Sequence, residues 1–294
     1  MTIRQLTAFR DDVVGESILW SEADACLWWI DIPGRALRRF APETGMLSSF
    51  EMPSLPGFVA LGPVGMLVIG LEHEIGLYDT EKGQFVRHIP IPNMVEGMRT
   101  NDCAVARNGE LFFGVIAVGD RSTPNGDFRR LNDPGVAIET GIHVPNGMAV
   151  SPNGRKLYFA DTFSSVQSIW TRSYDPECGE IGPREHLAST ESYPGRPDGA
   201  TVDADGGYWI AAVTAGELMR FNQDGDCDHR IEIPASHPTK LCFGGPDLST
   251  IFATTIGTSH PSIRVTGEMS GAVVAVDTHF KGLPEQRATF PHIC

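Results

Sequence analysis

The sequence predicts an all-β protein folded as a six-bladed β-propeller, with about four antiparallel strands per blade. Three observations predict it. A short apolar run recurs six times, most copies follow a turn, and each is followed by a second shared strand-and-turn element. The runs are LWWID from Leu27, LVIGL from Leu67, LFFG from Leu111, LYFAD from Leu157, YWIAA from Tyr208 and IFATT from Ile251. Their first residues lie 40, 44, 46, 51 and 43 apart. A period of this size is that of propeller blades.

Each element follows from its residues. The runs are aromatic and β-branched, as buried strands require. The turns SEADAC, ARNGE, SPNGRK, DADGG and GPDLST join them to upstream apolar stretches such as GMAV and GATV, which makes hairpins. Downstream come ALRRFAPETG (36–45), IGLYDTEKG (75–83), DFRRLNDPG (127–135), IWTRSYDPECG (169–179), ELMRFNQDG (217–225) and AVVAVDTHFKG (272–282), each a strand closed by a Gly-ended turn. A third strand follows, as in QFVRHIPIP and DHRIEIP. One such unit cannot bury both its faces, and a ring of six can. A flat sandwich would not call for six equivalent copies. The tryptophan-aspartate and kelch patterns are absent. The segment 3–10 is expected to supply the outermost strand of the last blade, and residues 1–294 are expected to form one domain.

Bulk composition agrees. Gly (32) and Pro (21) suit many turns, and 41% hydrophobic against 20% charged residues provides a core. The formal net charge of −14 argues against a nucleic-acid partner, because like charges repel. The six cysteines (26, 103, 178, 227, 242 and 294) contain no C-x-x-C pair, so neither a zinc knuckle nor a disulfide framework is expected. The N-terminus MTIRQLTAFRDD has no apolar core of a signal peptide, and no stretch approaches 18 apolar residues. The expectation is a cytoplasmic protein with no membrane partner.

Propeller ligands sit at one end of the central channel, where each innermost strand starts. Counting back 10 or 11 residues from the runs gives Glu16, Asn101, Asn146, Asp198 and Lys240, while the second copy offers Pro56-Gly57-Phe58. Four of six copies thus carry an oxygen-bearing side chain at one address, and two of these are carboxylates. Carboxylate and amide oxygens suit a hard divalent cation, which would also offset the repulsion of the carboxylates. Asn-Gly, Asn-Asp and Asp-Gly are also ordinary turn dipeptides. The shared offset and Glu16, which is not a turn residue, favour the site.

The segments Gly15-Glu16, Arg99-Thr100-Asn101-Asp102, PNGMAVSPNG (145–154) and Arg196-Pro197-Asp198-Gly199 resemble the regucalcin/gluconolactonase family, in the same order and over the full length. The resemblance implies a six-bladed propeller that hydrolyses a sugar lactone in carbohydrate catabolism, using one divalent metal (calcium, zinc, magnesium or manganese). It implies Glu16, Asn146 and Asp198 as metal ligands, Asp198 also as catalytic acid/base, and Arg99 and Asn101 as substrate-binding residues. Two departures stand out. Ser17-Ile18 replaces the family's Gly-Pro after the glutamate, which is expected to alter the loop without removing the ligand. The family's substrate-contacting acid after the third run has no assigned counterpart in VIAVGDRSTPNGDFRR, where Asp120 is a candidate.

The implied chemistry is ester hydrolysis. A metal would polarise the carbonyl, Asp198 would move the proton of water, and Arg99 would hold hydroxyls or a carboxylate. A structural alternative for Arg99 is a buried pair with Asp102. Two other function classes are a non-catalytic metal-binding propeller and a paraoxonase-like lactonase or esterase for non-sugar substrates. No G-x-S-x-G elbow occurs. His143 is expected to be structural, Glu72-His73-Glu74 to be a surface turn, and the tryptophans to pack the blades. The EF-hand-like run from Asn222 to Asp228 lacks the Gly and Glu of a calcium loop and is expected to be a hairpin turn.

Overall fold

The computed structural model describes residues 1–291. They form six four-stranded antiparallel sheets, each ordered from the channel outwards in chain order. The innermost strands are Gly15–Ser21, Phe58–Leu61, Met98–Val105, Pro145–Val150, Arg196–Val202 and Pro238–Gly244, in blades 1 to 6. Successive inner strands touch, and the sixth touches the first, so the ring is closed. Every apolar run is the second strand of its blade. No helix occurs among the described residues, so none is long and apolar enough to cross a membrane.

The ring closes as the sequence implied. Ile3–Gln5 pairs with Val274–Asp277 as the outermost strand of blade 6. This closing strand is shorter than the segment 3–10. Blade 3 differs in its outer turn: Arg130 pairs directly with Asp133, so a two-residue loop closes the hairpin and Gly135 lies inside the strand.

The core consists of six apolar clusters, one between each pair of neighbouring blades. Trp28 and Leu19 of blade 1 meet Val59 and Leu67 of blade 2, for example. Tyr158 of blade 4 stacks on Tyr208 of blade 5 at 4.8 Å. The aromatic residues of the runs supply this filling. Trp28, Trp29 and Trp209 are fully buried between blades.

The tail beyond blade 6 runs across the channel end where the inner strands finish. Gly282 N donates to Leu248 O, Ala288 N to Leu61 O, and Thr289 N to Gly109 O. These acceptors belong to blades 6, 2 and 3, so the strap ties distant blades together. It brings Pro284 and Glu285 over the channel interior, which is lined by Ser17, Val59, Cys103, Met148 and Lys240. The other channel end is where the inner strands start.

Candidate active site at the channel mouth

One backbone device recurs where the inner strands start. Five of them slip by one residue against their neighbour: between Glu16 and Leu19, Asn101 and Cys103, Asn146 and Ala149, Pro197 and Ala200, and Pro238 and Leu241. A bulge interrupts the alternation of side chains and re-aims those beside it. Each bulge holds or adjoins one residue of the predicted address. The inner strand of blade 2 pairs regularly with its neighbour, and it is the blade without an oxygen-bearing candidate. Gly57 fills that address because a side chain there would meet Thr100 O at 2.1 Å.

The bulges are held by specific partners. Asp31, the last residue of LWWID, accepts from Val14 N at 3.1 Å, two residues before Glu16. Asp161, the last residue of LYFAD, accepts from Val144 N at 3.0 Å, two residues before Asn146. Ser17 and Gly147 follow Glu16 and Asn146, and both are left-handed, at φ 53° and 67°. At Gly147 a Cβ would also meet the Tyr208 hydroxyl at 2.5 Å. Ser17 adopts the turn that its Gly counterpart in the resembling family would favour. Val59 N donates to its Oγ at 2.8 Å, and Oγ donates to Val59 O at 3.2 Å. The loop geometry is therefore retained, and blade 1 gains a tie to blade 2.

The predicted residues form one network. Asn101 Nδ2 donates to Asn146 Oδ1 at 2.7 Å and to Pro145 O at 2.8 Å. Asn146 Nδ2 donates to Asp198 Oδ1 and to Thr162 Oγ1, each at 2.7 Å. Thr162 Oγ1 donates to Pro197 O, linking blades 4 and 5. Arg99 Nη1 donates to Thr100 O at 2.7 Å and Asn101 Oδ1 at 2.8 Å. Glu16 accepts from Ser17 N at 2.8 Å. Among the described residues, neither Glu16 nor Asp198 has a Lys or Arg within ion-pair distance. Burial pushes Glu16 up to about 7, helped by the charge of Asp102. Burial, then the charges of Glu16 and Asp102, hold Asp198 well above the usual carboxylate range.

The Arg99–Asp102 pair does not form. Asp102 takes Lys240 instead, at 2.6 Å, and also accepts from Met148 N and Cys103 N. The lysine at the sixth address thus neutralises a carboxylate below the mouth. Asp120 is exposed and turned onto Ser122 N and Oγ, at 2.9 and 2.8 Å, away from the network. Arg121, which sequence reading passed over, lies half-buried at the mouth instead. Thr162 was also missed, although it directly follows the LYFAD run and so had a positional signal. His143 is satisfied by Asp161 at 3.2 Å and by stacking on Phe163 at 4.3 Å, as expected for a structural histidine. Glu72 and His73 lie in the bend before the strand that begins at Glu74. Asn222 Oδ1 caps a hairpin turn by accepting from Asp224 N and Asp226 N. Cysteines 26, 103, 178, 227 and 242 are free thiols, and Cys294 lies outside the described residues.

Comparison with known proteins agrees with this architecture. Residues 14–257 match the family described as "SMP-30/Gluconolactonase/LRE-like region". The chain is 29% identical over 284 residues to a pentonolactonase of Haloferax volcanii, covering 94% of each protein. It is 30% identical over 280 residues to a 6-deoxy-6-sulfogluconolactonase of Pseudomonas putida, covering 94% of this chain and 95% of that protein. The crystal structure of a calcium-binding protein, regucalcin, from Agrobacterium tumefaciens superposes with a TM-score of 0.86 at 23% identity, over 97% of each chain. A likeness at that identity speaks for the fold. With its six-bladed ring and a family match over most of its length, the chain belongs to the SMP-30/gluconolactonase/LRE-like family.

Proposed function

We propose that this protein is a divalent-metal-dependent hydrolase that opens sugar lactones to their acids, with the mouth residues as its site. The observation that carries the reading is the linkage of Asn101, Asn146 and Asp198 in one hydrogen-bonded chain, beside Glu16 and Arg99. Relatives named as lactonases for pentonolactone, sulfogluconolactone and arabinolactone support the reaction class.

The donor chemistry fits a hard divalent cation. Glu16 and Asp198 are carboxylates held in a buried mouth without a cationic partner, and their charge there is unfavourable. Among the described residues no three His, Cys, Asp or Glu side chains gather as a metal site, so the third donor is the Asn146 amide. Turning that amide over would present its oxygen towards Asp198. Two carboxylates and an amide oxygen are ligands for calcium, magnesium or manganese, and zinc also accepts oxygen donors. When bound, such an ion supplies Lewis-acid polarisation of the lactone carbonyl.

The protein's own residues do the rest. Asp198 takes a proton from the attacking water through Oδ2, which has no hydrogen bond among the described residues. It returns that proton to the ring oxygen as the C–O bond breaks, so acid and alcohol leave on one product. Its raised proton affinity suits both halves of this task. Arg99 keeps Nε and Nη2 for substrate oxygens, because only Nη1 is engaged on protein, and Asn101 fixes the guanidinium by its Oδ1.

A proton-release screen of aldonolactones and aldarolactones tests this, with and without chelator and with single metals restored. Metal-dependent acid release from at least one lactone is expected. Tight metal binding without turnover of any of them would overturn the enzymatic reading and leave a metal-binding propeller.

A further inference from the structure

Arg121 has no role in the chemistry above, yet it is built into the mouth. It lies in the loop after the strand Leu111–Ala117 of blade 3, and its Nε donates to Ala117 O at 3.2 Å. Ala117 pairs with Met98 and Ile116 with Arg99, so this contact anchors Arg121 at the end of the blade that carries Arg99. Its neighbour Asp120 is folded outwards onto Ser122 and does not neutralise it. Among the described residues, Arg121 has no ion pair, and its Nη groups donate to no protein acceptor.

Two guanidiniums gathered in a partly dry mouth are costly unless an anion is to come. Burial pushes Arg99 down to about 10, and the charge of Arg121 is the next cause. Burial also pushes Arg121 down, and the Asp198 charge opposes that. A third arginine, Arg196, is half-buried where the inner strand of blade 5 starts, and its charge acts on Asp198. Around the mouth, Glu16, Asp198 and Glu72 offset these three cations. A divalent cation would leave the mouth net positive within a protein of net charge −14. Such a local excess recruits anions, and a guanidinium fork matches carboxylate and sulfonate oxygens.

We propose that Arg121, together with Arg99, receives a second anionic group on the substrate, so that the preferred lactone is acidic rather than neutral. This rests on the lactonase reading and names its substrate class. The anion can be the carboxylate of an aldarolactone or the sulfonate of a sulfosugar lactone.

The test compares kcat/KM of the metal-loaded protein on gluconolactone, glucarolactone and 6-sulfogluconolactone. The wild type is expected to favour one or both acidic lactones, and the favoured one identifies the anion. Arg121→Gln should lower the acidic-to-neutral ratio by about ten- to a hundredfold, the span of a lost charged hydrogen bond. Arg121→Lys should restore part of it. An equal loss on acidic and neutral lactones, or a wild type that favours gluconolactone, overturns the proposal. If no lactone is hydrolysed, calorimetry with glucarate and gluconate keeps the two ideas apart. A glucarate preference that Arg121→Gln abolishes supports the anion site without the reaction, and equal affinities overturn it.

Discussion

Lys240 Nζ donates to Asp102 Oδ1 at 2.6 Å, and both side chains are buried in the channel. The pair joins blade 6 to blade 3 across the axis. Asp102 Oδ2 also accepts from Met148 N, inside the bulge that aims Asn146. Removing the lysine alone leaves a buried carboxylate unpaired. Lys240→Met is therefore expected to cost about 3–5 kcal/mol of stability. The double variant with Asp102→Asn should recover part of the loss. Thermal melting of the two variants checks this, and equal melting of Lys240→Met and wild type would refute it.

Glu16 and Asp198 are expected to matter for turnover far more than for folding, since each carries a charge that burial disfavours. Asp198→Asn should lower kcat by about a hundred- to ten-thousandfold, as loss of an acid/base group does. Glu16→Gln should weaken metal binding, read as a higher metal concentration for half-activation. Chelator should mimic both in the wild type. Both variants should melt no lower than wild type in metal-free buffer. A lower melting point there would assign these carboxylates a structural role.

Ser17 stabilises the left-handed turn beside Glu16 by exchanging two hydrogen bonds with the backbone of Val59. Ser17→Ala keeps the strained φ and leaves Val59 N unpaired, a loss of about 1–3 kcal/mol. Ser17→Gly loses the same bonds but relieves roughly 1–2 kcal/mol of left-handed strain. The expected order of urea midpoints is wild type, then Gly, then Ala. Coincident midpoints for Gly and Ala would mean that φ at residue 17 carries no cost.

Asp12 accepts from Trp29 Nε1 and Arg38 Nε, with Asp31 on the far side of Arg38. Burial is the main cause that pushes its carboxyl up to about 6, from 3.8. Between those values the native state holds a proton that the unfolded chain has released. This group therefore makes stability fall as pH rises from about 4 to about 6. Arg38 works against that rise. Arg38→Met should thus cost little at pH 5, where Asp12 is protonated. At pH 8 it should cost about 3 kcal/mol, because the buried carboxylate must ionise without its partner. Urea denaturation at the two values measures the difference, and a pH-independent loss would exclude this account.

The ring was legible because it is a repetition of local signals. LWWID, LYFAD and their counterparts are strand-forming and apolar, and the turns between them are marked by Gly, Asn and Asp. No long-range information is needed to count six copies. Counting also found Glu16, Asn101, Asn146 and Asp198, because equivalent positions in a closed ring must face the same axis. Other features depend on pairing across blades, which no sequence offset encodes. Lys240 could have been a ligand by address, and only its distance to Asp102 makes it a counter-ion. Arg99 could have taken Asp102, and the channel gave that carboxylate to blade 6. Asp120 and Arg121 are adjacent in sequence, yet hydrogen bonds to Ser122 turn one to solvent and a bond to Ala117 O anchors the other at the mouth. The sequence by itself determined the six-fold ring and the address of the site, since both follow from periodicity. The tertiary structure alone decided which charges meet at that address, since that depends on one-residue bulges and on contacts between blades far apart in the chain.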